Sequence, residues 1–156
     1  MKYSFILDSM MGKEARWLRI LGYNVLYDKY LEDKKITMLL KNTNCLLITR
    51  DVELFKKCIK NGLTAIYTST TDICHFLHVF KKYVSMNIHI DFKQTRCPKC
   101  NGKLIIVNKR KIRNKVSSYI YIRQNIFYQC IECGHIYWLG RHLKNMQKIL
   151  GDINEC

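Results

Sequence analysis

Four cysteines in the last third of the chain form two close pairs whose spacing is typical of a metal site. Each pair, Cys97/Cys100 and Cys130/Cys133, places two thiols three positions apart, so that both can face one ion. Four thiolates complete the tetrahedron that structural Zn²⁺ prefers. We therefore predict a closed zinc site that leaves no open position for a substrate.

The residues next to these pairs fit a structural metal. Gly102 and Gly134 are expected to supply the positive φ that such turns need. His135 is expected to be a neighbour of the ion and not a ligand. Iron in the same tetrahedron, which a coloured protein would reveal, and unmetallated thiols are the alternatives. The other cysteines show no ligand spacing and are expected to be packing residues or inert thiols: Cys45, Cys58, Cys74 and Cys156.

A second set of chemically capable residues consists of acids that follow short apolar runs. Asp8, Asp28, Asp51 and Asp72 stand in such positions, and Glu53 lies two positions beyond Asp51. At the carboxyl ends of parallel strands, clustered carboxylates repel each other unless a hard cation lies between them. Mg²⁺ or Mn²⁺ held in this way can hydrolyse phosphodiesters. Helix capping is the alternative role for Asp51 and Asp72.

Alternating strand and helix patterns in the first 92 residues must position these acids. Four short apolar runs predict strands, at 3–7, 24–27, 45–49 and 64–67. Apolar residues at helical spacing predict four helices, at 10–21, 33–41, 51–61 and 72–83. Asp33 is a plausible cap of the second helix. The fold class is therefore α/β, with a parallel sheet flanked by helices.

The remaining residues predict a smaller β ribbon followed by a C-terminal helix. Residues 86–94 have the composition of a connecting segment. Three strand-like runs lie next to the cysteine pairs, at 103–107, 126–129 and 136–139. A helix is predicted over 141–150, with Gly151 as its stop. We therefore divide the chain into domains at 1–92 and 93–156.

The net charge of +15 on 156 residues predicts a polyanionic partner. Residues 1–92 carry 14 basic and 9 acidic side chains, whereas residues 93–156 carry 13 and 3. Nucleic acid is the favoured partner, and an anionic membrane is the weaker alternative. Because no apolar run is long enough to cross a bilayer and no signal peptide is recognisable, we expect a cytoplasmic protein and no membrane partner.

Much of this charge lies between the cysteine pairs. No acidic residue occurs between 93 and 129, and five of the seven residues at 109–115 are cations. Phosphate binding is favoured over a purely solvated loop. The cations expected to bind RNA are Lys109, Arg110, Lys111, Arg113, Lys115 and Arg123. Aromatic residues between 119 and 138 could stack bases, but in small ribbons they usually form the core, so we expect recognition of the backbone.

Several motifs together resemble the Mut-seven C-terminal ribonuclease family. They are DSMMGKEARWLRILGY at 8–23, LLITRDVEL at 46–54, RCPKCNG at 96–102 and CIECGHIYWLGRH at 130–142. The resemblance covers nearly the whole chain. It implies a PIN-like nuclease domain followed by a zinc ribbon, and cleavage of RNA with a divalent metal.

The resemblance also implies roles for individual residues. Asp8 and Asp51 match the metal-binding acids, Glu53 is a further acid of the same loop, and Asp28 is a candidate for another. Asn24 stands where the family more often has Asp. The cations that flank the site are Arg16, Arg19 and Arg50, of which Arg50 either contacts phosphate or pairs with Asp8. Arg141 and His142 belong to the last motif and are expected to contact RNA.

Two functions follow from these features. The first is a metal-dependent endoribonuclease in which the acids hold Mg²⁺ or Mn²⁺ and the basic ribbon holds RNA. The second is a non-catalytic RNA-binding protein, associated with ribosomal RNA or ribosomal particles, in which the PIN-like fold is a platform. DNA binding or cleavage shares the same electrostatics and is the third alternative.

Overall fold

The computed structural model describes residues 4–84 and 88–155, without the side chains of residues 154 and 155. The strands of the first sheet are β1 Phe5–Leu7, β2 Val25–Leu26, β3 Leu46–Thr49 and β4 Ala65–Tyr67. The helices that alternate with them are α1 Gly12–Ile20, α2 Asp33–Asn42, α3 Val52–Lys60 and α4 Ile73–Val84. This order matches the predicted alternation of strands and helices, and the α/β fold class is confirmed.

The first sheet is parallel throughout, with strand order β2-β1-β3-β4. Its strands read as continuous apolar runs because helices cover both of its faces. Ile6 and Leu47 point to the face packed by α2 and α3. Phe5, Leu7 and Ile48 point to the opposite face, which α1 and α4 cover. All four strands therefore bring their carboxyl ends to one exposed edge.

The ribbon is an antiparallel sheet with strand order β5-β6-β7. Its strands are β5 Leu104–Val107, β6 Phe127–Cys130 and β7 Ile136–Trp138. The basic segment between β5 and β6 is ordered as a short 3-10 helix, Lys109–Ile112, and a helix α5, Ser118–Arg123. The sequence patterns did not predict these two short helices. The buried side chain of Ile112 anchors the segment, while its neighbouring cations face solvent.

Hydrogen bonds join the first cysteine turn of the ribbon to α1 and β2. The Arg19 guanidinium donates to the carbonyl oxygens of Val25 and Pro98 at 3.1 Å each, and to that of Lys99 at 3.3 Å. Asn101 accepts from the Val25 N–H at 3.1 Å. Arg19 is only 4 % exposed. Its donors bond carbonyl groups inside the protein, and its expected contact with RNA stays a prediction.

The C-terminal helix α6, Arg141–Glu155, is longer than predicted. It passes through Gly151, because Leu150 and Ile153 continue to pack into the same core as α4. The expected stop at Gly151 is therefore wrong. The domain boundary at 92/93 stays a prediction.

Three smaller differences concern ends of elements. α2 starts at Asp33 and has Glu32 at its N-cap position, so Asp33 lies in the first turn and is not the cap. Parts of the predicted first strand, at residue 3, and of the connecting segment, at 86–87, lie outside the described residues, as does Cys156. No helix in the described ranges is long and apolar enough to cross a membrane.

Two glycines, Gly151 inside α6 and Gly62 just after α3, allow a test of whether α6 continues through Gly151. A Cβ added to Gly151 meets no atom within 4 Å and Gly151 has no positive φ, whereas Gly62, just after α3, has the same open space at a φ of +68°. We expect Gly151→Ala to raise the free energy of unfolding by about 0.5–1 kcal/mol, because alanine favours helix. Gly62→Ala should lower it by roughly 1–2 kcal/mol, because alanine disfavours that φ. Denaturant titration measures both, and destabilisation by Gly151→Ala would contradict a helix that continues.

Candidate functional site

Asp8 lies at the carboxyl end of β1 and is only 4 % exposed. Its Oδ1 accepts from the N–H of Met10 at 2.8 Å, and its Oδ2 accepts from the N–H of Arg50 at 3.0 Å. The hydroxyl of Thr49 also donates to Oδ2. These three hydrogen bonds fix the orientation of the Asp8 side chain. Asp8 is thus held by the ends of two neighbouring strands.

Asp51 joins this arrangement through Thr49. The Asp51 N–H donates to the Thr49 hydroxyl oxygen at 2.9 Å, so one hydroxyl links both acids. Asp51 Oδ1 accepts from the N–H of Leu54 at 2.9 Å and caps α3, which is the alternative role considered from the sequence. Its Oδ2 accepts no hydrogen bond from any described residue. The two candidate acids therefore lie at adjacent strand ends, and Asp51 has one oxygen available to a ligand.

Glu14 is a third acid near this edge, and the sequence patterns did not single it out. It is 1 % exposed, and its Oε1 accepts from Arg50 Nη1 at 3.1 Å. Arg50 Nη2 also donates to the Met10 carbonyl oxygen. Within the described part of the chain, Glu14 Oε2 and Arg50 Nε lack hydrogen-bond partners. The guanidinium of Arg50 thus pairs with Glu14, and Arg50 contacts Asp8 only through its backbone N–H.

The other predicted acids do not join Asp8 and Asp51. Glu53 has an 84 % exposed side chain that pairs with Lys56 on the surface of α3. Asp28 is exposed beyond β2, where it accepts from the N–H of Tyr30 at 2.8 Å. Asp72 caps α4 by accepting from His75 N–H at 2.7 Å. Asp28 and Asp72 therefore stabilise local turns at the same edge of the sheet.

Asn24 is remote from the acids. Phe5 pairs with Val25, so Asn24 lies about four residues, or roughly 13 Å along the strands, from Asp8. Its side chain accepts from Asn101 Nδ2 at 2.6 Å at the zinc-binding turn. The Asn24 side chain therefore contributes to the contact with the ribbon, and Asn24 is not part of the acid edge.

The four paired cysteines converge as predicted. Their sulfur atoms all lie within 4.8 Å of one another, with Cys97 and Cys133 at 3.7 Å and Cys100 and Cys130 at 3.4 Å. A tetrahedron with Zn–S bonds of ~2.3 Å has sulfur–sulfur edges of about 3.8 Å. The cluster is therefore compatible with structural zinc. Among the described residues this is the only group of three or more such ligands, and His135 is not part of it.

The backbone of the two cysteine turns differs in one respect from the prediction. Gly134 has the expected positive φ of 71°, but in the first turn Asn101, with a φ of 68°, takes this conformation. Gly102 is required for another reason, since a Cβ there would lie 2.8 Å from the sulfur of Cys130. The role given to Gly102 was wrong because close approach, and not φ, selects glycine there.

The thiols of this cluster differ in acidity. Burial raises the pKa of Cys100 to about 12, and the neighbouring thiols add to this effect. Burial also acts on Cys133, but the N–H of His135 and the other three thiols lower its pKa to about 7. One ligand therefore loses its proton near neutral pH. Burial also raises the pKa of Cys130. A metal ion must displace the protons of Cys100 and Cys130, so its affinity falls as the pH falls.

The basic segment presents its cations on the surface of the ribbon. Arg110, Lys111, Arg113 and Lys115 are exposed. Two further cations stack on tyrosines of α5: Lys109 Nζ lies 4.9 Å from the ring of Tyr121, and Arg123 lies 4.4 Å from that of Tyr119. These tyrosines contact cations of the same chain and are not part of the ribbon core.

The remaining predicted cations meet at a cleft between α1, β7 and α6. Arg16, Arg141 and His142 line this cleft, which has a volume of about 610 Å³. Arg16 and Arg141 come from opposite ends of the sequence. Only the packing of α6 beside α1 brings them to one place.

The fold and the two sites define a class of protein: a parallel α/β domain with acids at the carboxyl edge of its sheet, joined to a Cys₄ ribbon. The model of the Mut7-C RNAse domain family matches residues 3–150, and the chain belongs to this family. The resemblance seen in the sequence is thereby confirmed, and membership indicates an RNA-related nuclease function. Neither a curated protein nor a solved structure matches the chain significantly.

Removal of one ligand should abolish the metal site. Cys130→Ser is expected to reduce bound zinc from about one ion per chain to a small fraction and to lower the thermal midpoint, because metal binding contributes to folding. Metal analysis after purification and thermal unfolding measure both effects. Cys74→Ser is the matched control, since Cys74 is exposed outside the cluster. Equal zinc content in the two variants would contradict the assignment.

The buried pair at the acid edge should matter for stability. Glu14→Gln removes the charge that faces the Arg50 guanidinium and is expected to lower the free energy of unfolding by about 2 kcal/mol or more. Glu53→Gln breaks an exposed pair and should change it by less than about 1 kcal/mol. Urea titration of both variants tests the difference, and equal effects would contradict the buried role of Glu14.

Proposed function

We propose that this protein is a metal-dependent endoribonuclease whose reaction takes place at the carboxyl edge of the parallel sheet. The observation that carries the proposal is the Thr49 hydroxyl, which donates to the Asp8 carboxylate and accepts from the backbone N–H of Asp51, so that two acids lie at the ends of adjacent strands. Family membership supports RNA as the substrate. The basic ribbon holds the RNA, and the acid edge cleaves it.

The donor set fits Mg²⁺ or Mn²⁺. Mg²⁺ is usually bound by one or two carboxylates together with waters and substrate phosphates. Asp8 and Asp51 supply two carboxylates, and the free Oδ2 of Asp51 offers a ligand atom. When bound, the ion supplies an activated water and charge neutralisation at the phosphate. Glu53 and Asp28 complete the site only if they leave their present turn and surface contacts.

The surrounding residues position these acids and the substrate. Thr49 and the Arg50 N–H hold the Asp8 carboxylate in one orientation, so it need not reorganise during the reaction. Glu14 fixes the Arg50 guanidinium beside the acid edge. The exposed cations at 110–115 bind phosphates farther along the RNA.

Cleavage of end-labelled RNA in Mg²⁺ or Mn²⁺ tests the proposal. We expect Asp8→Asn combined with Asp51→Asn to reduce the cleavage rate by about 100-fold or more, since even residues that only support metal ligands have effects of 10–100-fold. Asp152→Asn, an exposed change on α6, is the matched control and should cleave normally. RNA affinity without metal should not fall in the double variant. Equal cleavage by wild type and double variant would overturn the assignment.

A second candidate is a non-catalytic RNA-binding protein associated with ribosomal RNA. The excess of 10 positive charges in residues 93–156 favours it, because binding requires this charge and catalysis does not. It predicts no cleavage in either metal, steep loss of RNA binding between ~50 and ~200 mM salt, and co-sedimentation with ribosomal particles at low salt. A protein that stays in the supernatant would count against it.

A further inference from the structure

We infer that the cleft between α1, β7 and α6 binds an unpaired nucleobase of the RNA, an inference that rests on RNA being the partner in the proposed function. The cleft volume of about 610 Å³ lies within the range of small-molecule sites, roughly 300–1,000 Å³. It shares no lining residue with the acid edge or with the cations of the basic segment.

Aromatic side chains from three parts of the chain form the walls of this cleft. Trp17 comes from α1, Tyr128 from β6 and Trp138 from β7. Trp17 is buried at the base of the cleft, whereas Tyr128 and Trp138 are half-buried and leave ring surface accessible. Tyr128 already stacks on Phe92 at 5.6 Å with an interplanar angle of 22°, which fixes the orientation of its ring. Trp138 packs edge-on against Phe127. Rigid aromatic rings of this kind are the surfaces on which unpaired bases stack.

The rim of the cleft carries positive charge. Lys13 and Arg16 border it on one side, and Arg141 and His142 at the start of α6 border it on the other. All four are exposed, and no acidic residue lines the cleft. An apolar, aromatic interior with a cationic rim is complementary to a base whose phosphates remain outside. An uncharged peptide or metabolite would leave the rim charges without partners.

The cleft also lies along a path to the acids. Lys13, Arg16, Trp17 and Ile20 form one face of α1, and the helix starts only four residues after Asp8. The N–H of Met11 donates to the Asp8 carbonyl oxygen at 3.1 Å, so the acid and the first turn of α1 are directly connected. A base held in the cleft would therefore anchor a single strand beside the acid edge. Duplex RNA, whose bases are stacked internally, could not use this anchor.

Tryptophan fluorescence reports on this cleft directly, because the only two tryptophans of the chain, Trp17 and Trp138, both line it. We expect single-stranded RNA of about ten nucleotides to quench the emission saturably, because a stacked base contacts the half-buried indole ring of Trp138. An abasic oligomer of the same length, and a duplex, should bind through phosphates without quenching. Equal quenching by either control, or binding of single strands without quenching, would overturn the inference.

Variants provide an independent measurement. Trp138→Leu should weaken binding of the single strand about tenfold but leave the affinity for the abasic oligomer unchanged. Trp138→Phe should retain most of the affinity. Tyr83→Leu removes an exposed aromatic side chain of α4 outside the cleft and is the control for loss of an aromatic residue. Unchanged single-strand affinity in Trp138→Leu would overturn the inference.

The outcomes separate this inference from the proposed function. If wild type cleaves RNA and the cleft experiments fail, the base site is wrong and the nuclease assignment stands. If the cleft experiments succeed and the Asp8/Asp51 double variant cleaves like wild type, the base site stands and the nuclease assignment fails. If wild type neither binds nor cleaves RNA, both fail.

Discussion

The attachment of the first zinc-binding turn to the parallel sheet is the constraint on which the arrangement of this protein depends. Arg19 extends from α1 to carbonyl groups of β2 and of the turn at 98–99, and Asn101 accepts from the backbone of β2. A buried guanidinium is tolerable only when its N–H groups are satisfied, and here carbonyl oxygens satisfy them. A metal ion bound by the four cysteines would hold the turn in shape, and these hydrogen bonds hold it in place. The position of the basic ribbon relative to the acid edge follows from both.

The second organising feature is the polar network at the carboxyl ends of β1 and β3. Burial of Asp8 and Glu14 is costly, and hydrogen bonds from Thr49 and Arg50 offset part of that cost. Such a network favours a single conformation, because the hydrogen bonds of its polar groups are formed together in only one arrangement. In a chain with a net charge of +15, it keeps negative charge at a defined place.

The elements of the fold were predictable to the extent that local patterns specify them. Short apolar runs and helical periodicity identified the strands and helices, and capping of α3 by Asp51 was one of the two roles considered from the sequence. The predicted helix end at Gly151 was wrong. Glycine often ends a helix, but here the core contacts of Leu150 and Ile153 outweigh the low helix propensity of glycine. Glu14 was missed although the periodicity contained a signal. It lies three residues after Met11 and four before Leu18, on the buried face of α1.

The sequence by itself determined the parallel α/β fold, the zinc ligands and the unequal distribution of charge, because these depend on residue type and on spacing along the chain. Only the tertiary structure decided three contacts. Arg19 is buried and joins α1 to the first cysteine turn, Arg50 pairs with Glu14, and α1, β7 and α6 enclose an aromatic cleft. The residues of each such contact come from distant segments. The periodicity of apolar residues along the chain does not specify which distant segments come into contact. Burial, which depends on those contacts, determines whether an arginine or lysine is free to bind a ligand or is bonded to carbonyl groups of the protein.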